Sequence, residues 1–137
     1  MPHVQGVLET ALYVRDLDKS QRFYEELFNF RELLRDERMC GLAIAEKQVL
    51  LLFLVGGTTQ GEPVPGGFIP PHDAQGQIHL CFKIKTNSLE SWRAALAQKQ
   101  IAIESEVYPP RGGTSLYFRD PDHHLIELAT PGIWEIY

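Results

Sequence analysis

The sequence predicts an α+β protein made of two βαβββ modules, and three observations predict it. A succession of apolar, β-branched runs and one amphipathic helix occurs twice, on either side of a Gly- and Pro-rich interval. Ligand-type residues, Glu9 and His79, fall at the same place in the first strand of each repeat. The chain has 137 residues, a length that suits one compact domain with a real core. The duplication predicts two like modules side by side, the first and last strands of each lining a shared concave sheet.

Module one spans 7–55. Val7 to Val14 is apolar and β-branched with Glu9 interrupting it, which reads as a buried strand. Asp16 or Asp18 can cap the helix that follows, and Lys19 to Phe28 places Phe23, Tyr24, Leu27 and Phe28 on one face. Phe30 to Arg35, Arg38 to Ala45 and Gln48 to Val55 then read as strands, the last two joined at Glu46-Lys47. The interval 56–76 has no periodicity and suits a linker or a flap over a pocket, with His72 and Asp73 as solvated loop residues.

Module two spans 77–130. Gln77 to Lys85 is a strand, and Asn87 or Ser88 can cap a helix through Gln98 with Leu89, Trp92, Ala95 and Leu96 as its apolar face. Ile101 to Val107, Thr114 to Arg119 and His124 to Ala129 supply three more strands, and 131–137 is a tail. Trp134 and Tyr137 in it are expected to pack over the sheet.

Composition is that of a globular protein, 44% hydrophobic and 23% charged. A net charge of −5 without a basic run argues against a nucleic-acid surface. Two cysteines, Cys40 and Cys81, do not make a disulfide framework, and Cys81 is expected to be a small core residue. No apolar run is long enough to span a bilayer, and no charged, apolar leader is visible. A cytoplasmic protein with no membrane partner is expected.

The chemistry points to Glu127. Leu125, Ile126, Leu128 and Ala129 surround it, so its strand is apolar on both faces, and a buried carboxylate must be neutralised, hydrogen-bonded or bound to a cation. Strand alternation puts Glu9 on a face with Ala11 and Tyr13, and His79 with Cys81. On the neighbouring strand it lets Ser115 and Tyr117 share a face. Two carboxylates and an imidazole, if they converge, make a divalent-metal site for Mn²⁺, Fe²⁺, Zn²⁺, Ni²⁺ or Co²⁺. Three protein ligands would leave positions open for water or substrate. The alternatives are a solvated strand-edge Glu and ordinary strand filling by Ser115 and Tyr117.

Three stretches, LETALYVRDLDKSQRFYEELFNFRELL, QIHLCFKI and SLYFRDPDHHLIELATPGIW, resemble the vicinal oxygen chelate superfamily. That group includes glyoxalase I, fosfomycin-resistance transferases, extradiol dioxygenases and bleomycin-resistance proteins. The resemblance covers Val7 to about Trp134. It implies a partly open, barrel-like mixed sheet with helices outside, and a metal held by the first and last strands of each module. It assigns Glu9, His79 and Glu127 as metal ligands; Glu127 or Glu9 could then double as a base by detaching on substrate binding. Ser115 and Tyr117 match substrate-contacting positions, and Tyr13 joins them as a candidate on the face of Glu9. Leu51 stands where glyoxalase I has a fourth ligand, a Glu, which departs from that enzyme. One His and two Glu tilt the metal preference toward Mn²⁺ or Fe²⁺. His123 replaces the Gly usual after the DPD turn and is expected at positive φ, exposed together with His124.

The resemblance further implies a homodimer, in which Glu9 of one chain meets His79 and Glu127 of the other, and a small-molecule ligand. Two functions follow. One is a metalloenzyme, a lyase, isomerase or ring-opening dioxygenase whose substrate chelates the metal through adjacent oxygens. The other is a metal-free protein of the bleomycin-resistance kind that sequesters a ligand in an acidic groove.

Overall fold

The computed structural model describes residues 1–137, which gather into two compact units, Met1–Gln75 and Gly76–Tyr137. Each unit holds one βαβββ module, so the fold is α+β with the duplication the sequence predicts.

In the first unit, β1 (Glu9–Val14) runs parallel to β4 (Gln48–Leu54), and β3 (Met39–Ile44) lies antiparallel between β4 and β2 (Arg31–Arg35). Strand alternation sends Leu12, Val14, Leu50 and Leu52 to one face, where they are fully buried with Leu17, Tyr24 and Leu27 of α1 (Leu17–Phe28). Each such Leu contributes roughly 1.5–3 kcal/mol of apolar burial. The helix starts where Asp16 Oδ1 accepts from Lys19 N at 3.0 Å. It stops at Asn29, whose left-handed backbone (φ 57°) returns its N–H to Glu25 O.

Two expectations for this unit are corrected. The first strand begins at Glu9 rather than Val7, and Val7 and Leu8 are exposed, although Leu8 O still accepts from Val49 N at 2.8 Å. The β3–β4 turn centres on Ala45 and Glu46, both at positive φ, with Lys47 N bonded to Ile44 O at 3.0 Å. That is a type I′ turn made without Gly or Asn, and Arg31 braces it by a two-pronged bond to Glu46.

The interval after β4 is not structureless. It contains a hairpin, β5 (Glu62–Val64) with β6 (Gly67–Ile69), and folds back within the first unit. Thr58 and His72 are joined across its base by His72 N to Thr58 O at 3.0 Å and by the Thr58 hydroxyl to His72 O.

The second unit repeats the strand order. β7 (His79–Lys83) is parallel to β10 (Leu125–Ala129), and β9 (Ser115–Arg119) pairs with β10 and with β8 (Ser105–Val107). Here β8 is three residues long, not the seven-residue run 101–107, and a 3₁₀ turn (Thr86–Ser88) precedes α2 (Leu89–Gln98). Ser88 precedes α2 without capping it by its side chain; its hydroxyl donates to Lys85 O at 2.7 Å. Only Leu96 of α2 is fully buried.

The turn before β10 is built by Asp120, whose buried carboxylate accepts from Asp122 N and His124 N, both at 2.9 Å. His123 sits at φ 65° and is exposed, as the missing Gly suggested. His124 is instead 1% exposed. Its Nδ1 accepts from Ile78 N at 3.1 Å and ties the entrance of β7 to that of β10.

Candidate active site

The second unit assembles the most specific chemistry. In the parallel β7–β10 pair, His79 stands opposite Leu125 and Cys81 opposite Glu127, while Tyr117 of β9 faces Glu127 from the other side. Glu127 is 7% exposed, so its carboxylate needs partners. Ser115 Oγ donates to Oε2 at 2.5 Å, and His79 Nε2 lies 3.2 Å from Oε1. The His79 and Tyr117 rings flank the same spot, their centroids 6.2 Å apart.

The tautomer of His79 follows from its second contact. Nδ1 lies 2.9 Å from Leu125 O, and a carbonyl only accepts, so Nδ1 carries a proton. Nε2 then meets the carboxylate either as the second N–H of an imidazolium or with a bare lone pair. A lone pair facing a carboxylate oxygen at that distance requires a cation, and a backbone carbonyl on the far ring nitrogen is the usual support of a metal-bound imidazole. The pair therefore fits a divalent cation as well as it fits a proton. Burial and then the Glu127 charge push the Tyr117 phenol up, so it stays a neutral donor.

Cys81 is not a core residue: it lies on the exposed face beside Glu127. Crowding by surrounding protein, followed by the Glu127 carboxylate, pushes its thiol up to about 12, so it is no thiolate nucleophile at neutral pH. The tail packs in part as expected: Tyr137 donates to Ile84 O at 2.5 Å and its ring accepts Lys83 Nζ at 4.9 Å, while Trp134 is exposed.

Glu9 and Tyr13 belong to the first unit, on the face of β1 opposite its core. Glu9, Ala11, Leu51 and Phe53 line an open cavity of about 640 Å³ whose lining comes from the first unit alone. Its roof is the segment after β4, which brings in Val64, Ile69 and His72. His72 is half-buried, not solvated: its Nδ1 is 2.6 Å from Tyr13 Oη and its ring meets Phe53 edge-on at 4.6 Å. Burial, then the Asp73 charge, pushes the Tyr13 phenol up. A second tether joins Arg38 to Glu62 of the hairpin. Neither unit by itself gathers three His, Cys, Asp or Glu side chains at metal-binding distance.

His79, Glu127, Ser115 and Tyr117 are thus brought together, and Glu9 with Tyr13 is placed on one strand face. His72, Arg38 and Glu62 were missed, because pairing across a loop leaves no periodic trace in the sequence. Two apolar-faced βαβββ modules with a His–carboxylate pair on the first and last strands of one define a glyoxalase-type scaffold. A family model confirms the class: the chain matches the Glyoxalase/Bleomycin resistance protein/Dioxygenase superfamily over residues 3–128 and belongs to it.

Similar proteins include a metallothiol transferase FosB of Shouchella clausii, 26% identical over 93% of this chain and 81% of that one. A fosfomycin resistance protein FosX of Listeria monocytogenes is 27% identical over 91% of this chain and 89% of its own. Among solved structures, lactoylglutathione lyase from Agrobacterium tumefaciens superposes with a TM-score of 0.87 at 28% identity, covering 97% and 98% of the two chains.

Proposed function

We propose that this chain is a divalent-metal-dependent enzyme acting on a small, oxygen-rich substrate that binds through two adjacent oxygens, by lyase, isomerase or ring-opening dioxygenase chemistry. The observation that carries the reading is the His79–Glu127 pair, with Nδ1 anchored on Leu125 O and Nε2 turned to the carboxylate. His79 and Glu127 would hold the cation with Glu9 as third ligand, and the cation would supply Lewis acidity toward a substrate oxygen. Mn²⁺ or Fe²⁺ suits this oxygen-rich set best.

The side chains would do the rest. Ser115 fixes Oε2 of Glu127, so Oε1, the oxygen turned to His79, is the atom that would take a proton from substrate once Glu127 detaches from the cation to serve as the base. Tyr117, a neutral phenol beside it, would orient substrate by donating a hydrogen bond, and Tyr13 would do the same from β1. A homodimer in the cytoplasm is part of the proposal; no helix is long and apolar enough to cross a membrane.

The test is metal content of protein purified without chelator, for the wild type and His79→Ala. Near one metal per chain, lost in the variant, supports the enzyme. No metal after reconstitution with Mn²⁺, Fe²⁺, Ni²⁺ and Zn²⁺ removes it in favour of a second reading, a metal-free binding protein. That second reading draws on Leu51 and the cavity of the first unit.

A further inference from the structure

The cavity of the first unit has a composition of its own. Its floor is the open face of the β1–β4–β3 strands, Ala11, Leu51, Phe53 and Met39, and its roof is Val64 and Ile69 of the hairpin. A volume of about 640 Å³ falls within the range of pockets that enclose whole small molecules.

Its charges are arranged to reject anions. Arg38 is the one cation in the wall, and it is spent: it pairs with Glu62 and donates to Gly57 O at 3.2 Å. Asp36 is likewise occupied, its Oδ1 accepting from Arg38 N at 2.7 Å and Met39 N at 2.9 Å. Glu9, Asp36 and Glu62 outnumber Arg38, so the wall is net negative. The hydrogen-bonding groups above the floor also satisfy one another, Tyr13 with His72 and Thr58 with His72 O. Apart from the exposed Glu9 carboxylate, what is left for a ligand is apolar surface and the aromatic pair Phe53–His72, which suits a flat ring.

We infer that the first-unit cavity binds an uncharged, mainly apolar molecule carrying an aromatic ring, which would form the organic body of the substrate. This rests on the functional reading above only for the word substrate; the cavity itself belongs to the first unit. It separates this chain from relatives named for fosfomycin resistance, since fosfomycin is a three-carbon epoxide bearing a phosphonate dianion. A dianion would find no free cation in this wall and would pay its desolvation uncompensated.

The test uses N-phenyl-1-naphthylamine, a neutral probe that fluoresces out of water, titrated into the whole chain with chelator present and again after Mn²⁺ loading. Saturable binding in both states is expected. Benzaldehyde and phenol should displace the probe, whereas propylphosphonate at a hundredfold excess should not. Leu51→Glu, which sets a carboxylate in the floor, should weaken the probe by about tenfold or more. Ala11→Phe, which fills the cavity without charge, should do the same, and thermal melts establish that each variant is folded. A folded wild type that fails to bind the probe overturns the inference. So does a probe indifferent to both folded substitutions, or displaced as well by propylphosphonate as by phenol. Probe binding by a protein that takes up no metal on reconstitution would remove the metal reading alone, and one metal per chain without probe binding would remove the cavity inference alone.

Discussion

The two units share one backbone plan and differ in what they put at its centre. In both, the first and last strands of the module run parallel in the same register: Ala11 faces Leu51 as Cys81 faces Glu127. The third strand then sets Gly41 against Leu51 where the second unit sets Tyr117 against Glu127. The second unit surrounds its central carboxylate with a hydroxyl and an imidazole from its own strands; the first unit's strands set Ala11 and Gly41 beside a leucine that lines the cavity. A duplicated scaffold therefore does not dictate a duplicated site. A carboxylate can occupy the buried position only where neighbours satisfy both oxygens.

The largest expected effect comes from forcing the first unit to resemble the second. Leu51→Glu places a carboxylate opposite Ala11 and Gly41 with no donor, and should lower unfolding stability by roughly 2–3 kcal/mol in denaturant titrations. Adding Glu9→His, in the register that His79 has to Glu127, should restore about 1 kcal/mol. No restoration would break the equivalence of the two strand pairs.

Next in size is Ser115→Ala, which strips Oε2 of Glu127 of its donor in a buried setting and should cost about 1–2 kcal/mol. Pairing it with Glu127→Gln should reduce that cost, because the charge that needs the hydroxyl is gone. Additive losses in the double variant would show that the hydroxyl supports something other than the carboxylate.

The helices extend the contrast. Asp16→Ala removes a real cap from α1 and should cost about 1 kcal/mol. Ser88→Ala at the start of α2 removes no cap and should stay within about 0.5 kcal/mol. Equal effects would mean that Ser88 caps in solution.

The smallest effect appears only in acid. Hydrogen bonds from the Arg93 guanidinium, aided by the Tyr108 hydroxyl, hold the Glu106 carboxyl down to about 2. A lowered folded value stabilises the protein above the ordinary carboxylate range, and that share is lost as pH falls from there through about 2. The acid-induced fall in Tm should therefore be shallower in Glu106→Gln, which has no such proton to take up. An unchanged slope would place the acid sensitivity elsewhere.

The modular plan was legible because strand and helix periodicities are local properties. Leu12, Val14, Leu50 and Leu52 alternate, and LDKSQRFYEELF carries a helical stripe. Glu127 was legible as an anomaly, a lone charge in an apolar strand, and His79 by its place in the repeat. Other features were illegible for specific reasons. Ala45-Glu46 carries no sign of a type I′ turn, since its positive φ values are imposed by the flanking strands and braced by Arg31. His124, beside exposed His123, is buried because Asp120 turns the chain and Ile78 N needs an acceptor.

By itself, then, the sequence determined the βαβββ repeat, the membership of its strands and the residue types able to hold a cation. Each of these follows from spacing along the chain. Tertiary structure alone decided that His79 points Nε2 at Glu127 while Leu125 O holds the other nitrogen. It alone decided that the segment after β4 closes a cavity through His72, Tyr13 and the Arg38–Glu62 pair. Those contacts join residues far apart in the chain, and their energies exist only once the backbone has brought the partners together.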